Sequence, residues 1–375
     1  MMEMRKRNGL VECLRLLFTA YVLLLHSAYV SHGEEALFKG GWLGVEFFFL
    51  LSGYLMAREE AQLPAGGELG VDTARFMAKK IRRLFPYLAF AIVVNFAVWS
   101  IPFSRFTVQY AERAMSGLLN FIFAYSAGFP GDEFFYLGYS WYISAMVLSM
   151  LFLFPLLHRN RKTFYGVYAP IIILFGMGLF AFKYGRLGYV TSDDWVLSNG
   201  VLRASFELCL GCLCYITSEK LKTCRFTKTG ARLLSVLLLL GTAAVSVRII
   251  FLGAASILDF LLIFPLAVIV IIAFSEKSSI SFSMGGGWYQ QIFGEFQLRA
   301  LYYVKLLELS RRSPVPGLEL WKGAGGIHRA GSPVRARLHG DLRVDRQAVP
   351  EVPGKDYEKH CDSMMLNRRF TICGM

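Results

Sequence analysis

The sequence predicts an all-α protein: a polytopic bundle of about eight transmembrane helices with a basic, disordered C-terminal tail. Three observations predict it. Of the 375 residues, 55% are hydrophobic and the mean hydropathy is +0.45, too apolar for a soluble chain of this size. Apolar runs of spanning length recur between residues 10 and 274. Lys and Arg crowd alternate connections between those runs, which also accounts for the net charge of +13 without invoking nucleic acid.

The first run, 10–31, follows Met-Met-Glu-Met-Arg-Lys-Arg and so imitates a signal peptide. It is about 20 residues long, holds Arg15 and lacks a small-x-small cleavage site, which predicts a retained helix. The next runs lie at 41–57, 84–102, 139–157, 164–183, 200–218, 233–252 and 257–274. Arg5, Lys6 and Arg7 precede the first. Arg58, Arg75, Lys79, Lys80, Arg82 and Arg83 separate the second from the third. Arg159, Arg161 and Lys162 follow the fourth; Lys220, Lys222, Arg225, Lys228 and Arg232 follow the sixth. Intervening connections hold fewer: Lys39; Arg105 and Arg113; Lys183, Arg186 and Arg203. The bias predicts a multi-pass protein of the cell membrane with a cytoplasmic N-terminus.

The long connection 103–138 carries an apolar centre, 114–129, too short to span and read as a re-entrant or interfacial helix. Outer connections also hold Asp132, Glu133, Asp193 and Asp194, with Tyr136, Tyr139, Trp141 and Tyr142. Such aromatics suit a headgroup belt or stacking on sugar rings, and the pattern fits both. Spanning periodicity stops after Phe274. The expected division is a membrane domain, 1–275, and a tail, 276–375. The tail reads either as a basic cytoplasmic extension or as non-native sequence from a shifted frame replacing further helices. The abrupt loss of periodicity favours the second.

Arg15 and His26 are the first candidates for chemistry. They are eleven residues apart, three turns plus about 20°, so they share one stripe of a helix about 16 Å apart along its axis. Ionisable groups inside a span cost at least ~2.5 kcal/mol and default to function. Glu46 lies about as deep on the second span as His26 on the first, so depth allows them to meet. A carboxylate beside an imidazole would hold its tautomer and raise its basicity, as a general base requires. Lys79, Lys80, Arg82 and Arg83, just before Pro86, suit a polyphosphate ligand such as coenzyme A or anionic lipid headgroups. Cys209, Cys212 and Cys214 share one apolar run and read as packing residues, since no second ligand pair accompanies them; no metal site is predicted. Arg248 and Asp259 flank the tight turn at Gly253 and should form a structural ion pair.

Arg15, ten residues, then His26 resembles the signature of the acyltransferase family 3 membrane proteins. Gly44-Val-Glu-Phe-Phe-Phe-Leu-Leu-Ser-Gly-Tyr is similar to that family's second-helix motif. Lys80-Ile-Arg-Arg with Leu84 and Pro86 resembles its basic motif, with Lys80 where Arg is usual. Trp141-Tyr-Ile-Ser and Arg203 with Phe206 and Gly211 look like further family elements, over roughly residues 8–275. The Lys/Arg exchange keeps charge but loses the bidentate fork. The resemblance implies an O-acyltransferase moving an acyl group, most simply acetyl, from cytoplasmic acyl-CoA to a hydroxyl of a surface glycan or glycolipid. It implies catalytic roles for His26, Glu46 and Arg15, donor contacts at Lys79, Lys80, Arg82 and Arg83, and substrate contacts at Ser52, Trp141 and Arg203. No tightly bound cofactor is implied; acyl-CoA is a substrate. Partners would be membrane lipid, donor and acceptor. A transporter or channel using the Arg15/His26 stripe, or a truncated and impaired family member, are the alternatives.

Overall fold

The computed structural model describes residues 8–28, 37–64, 66–100, 121–123, 141–187, 198–252 and 256–280. The expected interfacial helix at 114–129 falls outside these residues except for 121–123, and the tail falls outside them after residue 280. Among the described residues the secondary structure is helical, with no strand. We number the helices α1 (Gly9–Ala28), α2 (Leu43–Glu60), α3 (Leu69–Ser100), α4 (Trp141–Arg159), α5 (Arg161–Tyr184), α6 (Asn199–Thr223), α7 (Lys228–Val247, continued by a π-turn Arg248–Leu252) and α8 (Leu258–Ser275). Each predicted span falls on one of them. Helix α3 starts 15 residues before its predicted span, because the basic stretch is itself helical.

Six of these helices (α1 and α4 to α8) are long and apolar enough to cross a membrane. Helix α2 carries Glu46, Arg58, Glu59 and Glu60 in 18 residues, and it tolerates them because it is central. It packs against α1, α4, α6 and α8, with its largest interface on α6. Two apolar cores meet on this pair. One holds Phe18, Phe47, Tyr54, Phe206 and Phe260; the other holds Phe49, Met56, Phe76, Phe154 and Leu208. Helices α5 and α7 are peripheral. Leu174, Phe175 and Phe182 of α5 are 71%, 74% and 92% exposed, an apolar outer face suited to lipid tails.

Local chemistry sets the ends. Asn8 caps α1 through Oδ1, which accepts from the N–H of Leu10 and Val11, while its Nδ2 donates to Ala273 O of α8 at 2.7 Å. Asn160 and Thr227 cap α5 and α7. The π-turn at Arg248–Leu252 leaves carbonyls outside the regular ladder, and the N–H groups of Phe38 and Gly40 take those of Ile250 and Ile249. A Cβ at Gly40 would meet Ile249 Cα at 2.8 Å, so this docking requires glycine. The segment before α2 is therefore folded tightly over the ends of α1 and α7. There, Arg248 and Asp259 form the expected pair, Nη2 to Oδ1 at 2.8 Å and buried.

Helices α2 and α6 approach with almost no side chain between them. A Cβ at Gly53 would lie 2.1 Å from Leu208 O, and one at Gly211 2.2 Å from Leu50 O. Small residues permit such contact where dispersion, not water expulsion, drives association. The cysteines serve the same packing: Cys212 Sγ lies 3.4 Å from Gly53 O and Cys214 Sγ 3.7 Å from Ala267 O.

Candidate active site

The predicted residues fall into two groups, at opposite ends of the bundle. One end is basic. Glu59 closes on Lys79 there, Tyr54 on Ser218, and Asn8 on Ala273. Arg15 of α1 points into this region. Its Nη1 lies 3.1 Å from both oxygens of Glu12, one turn earlier, and its buried Nε has no partner among the described residues. Lys80 lies half-buried with its Nζ 5.8 Å from the centre of the Phe76 ring. Burial pushes its ammonium down to about 8; Arg83, Lys79 and Arg15 add to the fall and Glu59 opposes it. Arg15 therefore lies within electrostatic reach of the basic stretch, although the two are far apart in sequence. Arg82 and Arg83 are exposed. Lys79 is already matched by Glu59 at 2.5 Å, which lessens its value as a phosphate ligand.

The other end is aromatic and centres on Arg203, 1% exposed. Its guanidinium is held by both oxygens of Glu46, through Nη2 to Oε1 and through Nε to Oε2 at 3.2 Å, and its Nη1 donates to Leu187 O at 2.8 Å. Glu207 Oε1, one turn along α6, is 3.5 Å from the same Nε. Trp141 and Trp42 sit with ring centres 5.3 and 5.8 Å from the guanidinium carbon. One buried cation thus serves two fully buried carboxylates and two indoles, joining α2, α4 and α6.

This geometry corrects the expected partnership of Glu46 with His26. Phe18 stacks on Phe47 at 4.3 Å, which fixes the register of α1 against α2. His26 is eight residues beyond Phe18 toward the aromatic end, and Glu46 only one beyond Phe47. The axial gap is therefore about 10 Å. The depth argument failed because the compact turns at 37–42 carry the start of α2 inward past the end of α1. Glu46 pairs with Arg203 instead. Arg203 in turn is enclosed by Glu46, the Leu187 carbonyl and the two indoles. Trp141 is half-buried, and so is Ser52, six residues from Glu46 along α2. His26 is half-buried near the end of α1.

Sequence reasoning missed Glu12, Trp42 and Glu207. Glu12 and Glu207 were detectable, since they stand three residues before Arg15 and four after Arg203, the spacings at which helical side chains meet. Trp42 carries no such signal. Its place depends on the fold of 37–42.

The model of the acyltransferase domain family matches residues 8–290. The chain belongs to the acyltransferase 3 family. Over 68 residues it is 40% identical to the protein named "Putative peptidoglycan O-acetyltransferase YrhL" of Bacillus subtilis (strain 168), a stretch covering 18% of this chain and 10% of that one. No solved structure matches. The family assignment agrees with a multi-pass membrane protein, and Arg15, His26 and the basic stretch all lie within the matched domain.

Proposed function

We propose that this acyltransferase moves an acyl group, most simply acetyl, from acyl-CoA at its basic end to a hydroxyl of a surface glycan or glycolipid at its aromatic end. The observation that carries the reading is the polarity of α1. Arg15 stands beside the cations of α3, and His26 lies about 16 Å further along the same helix toward the indoles. The N-terminus is cytoplasmic in this reading, because the Lys/Arg-rich connections gather at the basic end. Arg82, Arg83, Lys80 and the free edge of Arg15 hold the phosphates of the donor. The acyl thioester is small and neutral, so this end of the donor enters the apolar interior on its arm while the phosphates stay at the basic end.

His26 acts at the acyl group as base or relay. The acceptor oxygen forms its bond to the acyl carbon, the carbon–sulfur bond breaks, and the hydroxyl proton reaches the departing sulfur through the imidazole. Glu46 does not orient His26. It fixes Arg203, and with it the Trp42 and Trp141 rings, which are suited to stacking on a sugar. The name of the Bacillus subtilis relative, "Putative peptidoglycan O-acetyltransferase YrhL", agrees with acetyl transfer to a glycan.

The test is His26→Ala in membranes supplied with labelled acetyl-CoA. Transfer should fall about 10²–10⁴-fold while the protein inserts and melts normally. Arg15→Lys should be intermediate, retaining charge but not the fork. An unchanged turnover in correctly inserted His26→Ala would remove the catalytic assignment.

A further inference from the structure

Between Arg15 and His26 the shared stripe of α1 carries Thr19 and Val22. Thr19 lies about 40° round the helix from Arg15, and Val22 about 20° round in the opposite sense. Val22 is one turn before His26. Both middle residues are buried, Thr19 at 3% and Val22 at 6% exposed, whereas the two ends of the stripe are half-buried. Thr19 Oγ1 donates to Arg15 O at 2.8 Å, so its proton is committed to its own helix. The path from cation to imidazole is therefore apolar and tightly walled.

Gly44, in the first turn of α2, faces Val22. A Cβ on Gly44 would lie 2.7 Å from Val22 Cγ2 and 2.9 Å from Phe18 O. Helix α2 thus offers no side chain at this point, and a methyl of Val22 fills the space. Toward the basic end, the stacked rings of Phe18 and Phe47 close the next layer. The room just before His26 is set by one side chain. That side chain is also stiff: a β-branched residue in a helix has a single strongly preferred χ1. Val22 cannot swing aside, and what it rests on is backbone.

Side chains on a helix lean toward its N-terminus. The imidazole of His26 therefore reaches back over the turn that holds Val22, which makes Val22 the apolar neighbour of any carbonyl placed at the ring. We propose that Val22, backed by Gly44, sets the length of the acyl group: it is the wall that admits acetyl and turns away longer chains. The assignment rests on the reading of His26 as the group that acts at the acyl carbon. Val22 takes no part in the bond exchange. Packing alone would make it a stability residue, and its loss would then lower transfer from every donor alike. A wall changes the choice between donors.

The experiment measures kcat/KM for labelled acetyl-CoA and propionyl-CoA in the same membranes, so that the fraction of folded enzyme cancels in their ratio. One methylene in a fitted apolar pocket is worth about 10–200-fold, and the wild type should prefer acetyl by a ratio in that range. Val22→Ala should narrow the preference by about tenfold or more, through a gain with propionyl. Val22→Thr keeps the branched shape, and its hydroxyl can donate to Phe18 O as that of Thr19 does to Arg15 O; its ratio should match the wild type. Val11, also buried, is about 16 Å from Val22 along α1, and Val11→Ala makes the same cut there without moving the ratio. An unchanged ratio in Val22→Ala overturns the proposal. So does an equal shift in Val11→Ala, a Val22→Thr ratio that moves with Val22→Ala, or a wild type that takes propionyl as readily as acetyl. His26→Ala separates the two claims. If it abolishes transfer while Val22→Ala keeps the wild-type ratio, the wall fails and the catalytic reading stands. If His26→Ala turns over normally, the catalytic reading fails, and the acyl slot at His26 with it.

Discussion

Gly53→Ala adds a single methyl group at the point where α2 and α6 touch. Its carbon would lie 2.1 Å from Leu208 O, with the α-carbon and carbonyl carbon of Leu208 both at 2.8 Å. A tolerable carbon–oxygen contact is about 3.3–3.6 Å, so the helices must part by roughly 1.2 Å. The nearest atoms are backbone, and no side-chain rotation relieves them. Overpacking of this kind costs about 1–3 kcal/mol. The displacement also reaches the site. Glu46 is seven residues from Gly53 on α2, and Arg203 five from Leu208 on α6. A shift of that size takes the 3.2 Å contact between Arg203 Nε and Glu46 Oε2 beyond hydrogen-bond range. Gly211→Ala meets Leu50 O at 2.2 Å across the same seam. One separation relieves both clashes, so the double variant should cost less than the sum of the singles, by about 0.5–3 kcal/mol. Thermal melting in detergent, read alongside acyl transfer, measures this. Gly178→Ala is the control, because nothing lies within 4 Å of its added carbon. Wild-type melting and activity in Gly53→Ala, or full additivity with Gly211→Ala, would refute the account of the seam.

Other outcomes follow from the same structure. Asp259→Asn should lower the yield of folded protein, since breaking a buried pair costs about 3–5 kcal/mol, and Arg248→Gln in the same chain should recover part of it. If Asp259→Asn folds normally and stops transfer instead, the pair belongs to the active site. A cysteine at Gln62, in a background lacking the seven native cysteines, should escape an impermeant thiol reagent in intact cells; labelling there would invert the topology. Lys80, whose ammonium is pushed down to about 8 chiefly by burial, should lose its hold on donor phosphates as pH rises through that value. The KM for acetyl-CoA should then climb above about pH 8, and Lys80→Arg, which stays charged, should abolish the climb. An alkaline rise that survives Lys80→Arg would assign it to another group.

The fold was legible because a bilayer leaves few choices. Backbone groups in hydrocarbon must bond within their own segment, so an apolar run of spanning length is a helix, and the eight runs read from the sequence fall on eight helices. The Arg248–Asp259 pair was legible for the same reason, since a tight turn between two spans fixes the relative depth of residues near it. Glu46 and His26 also flank a connection, yet the inference failed there. The difference lies in the connection. Residues 37–42 are not a plain reversal. They spend their N–H groups on carbonyls freed by a π-turn of α7, a remote helix, and so reset the register of α2 against α1. Local pattern records depth within one helix; it does not record what a distant helix does to a loop. The same limit hid Trp42 as a partner of Arg203, which that loop delivers, whereas Glu207 was within reach four residues away on the same helix. The residues that position this site are thus of two kinds. Those one turn from an ionisable partner can be read from spacing alone. Those placed by a loop require the packed bundle, and in this chain it is the loop-placed set that moves Glu46 from His26 to Arg203.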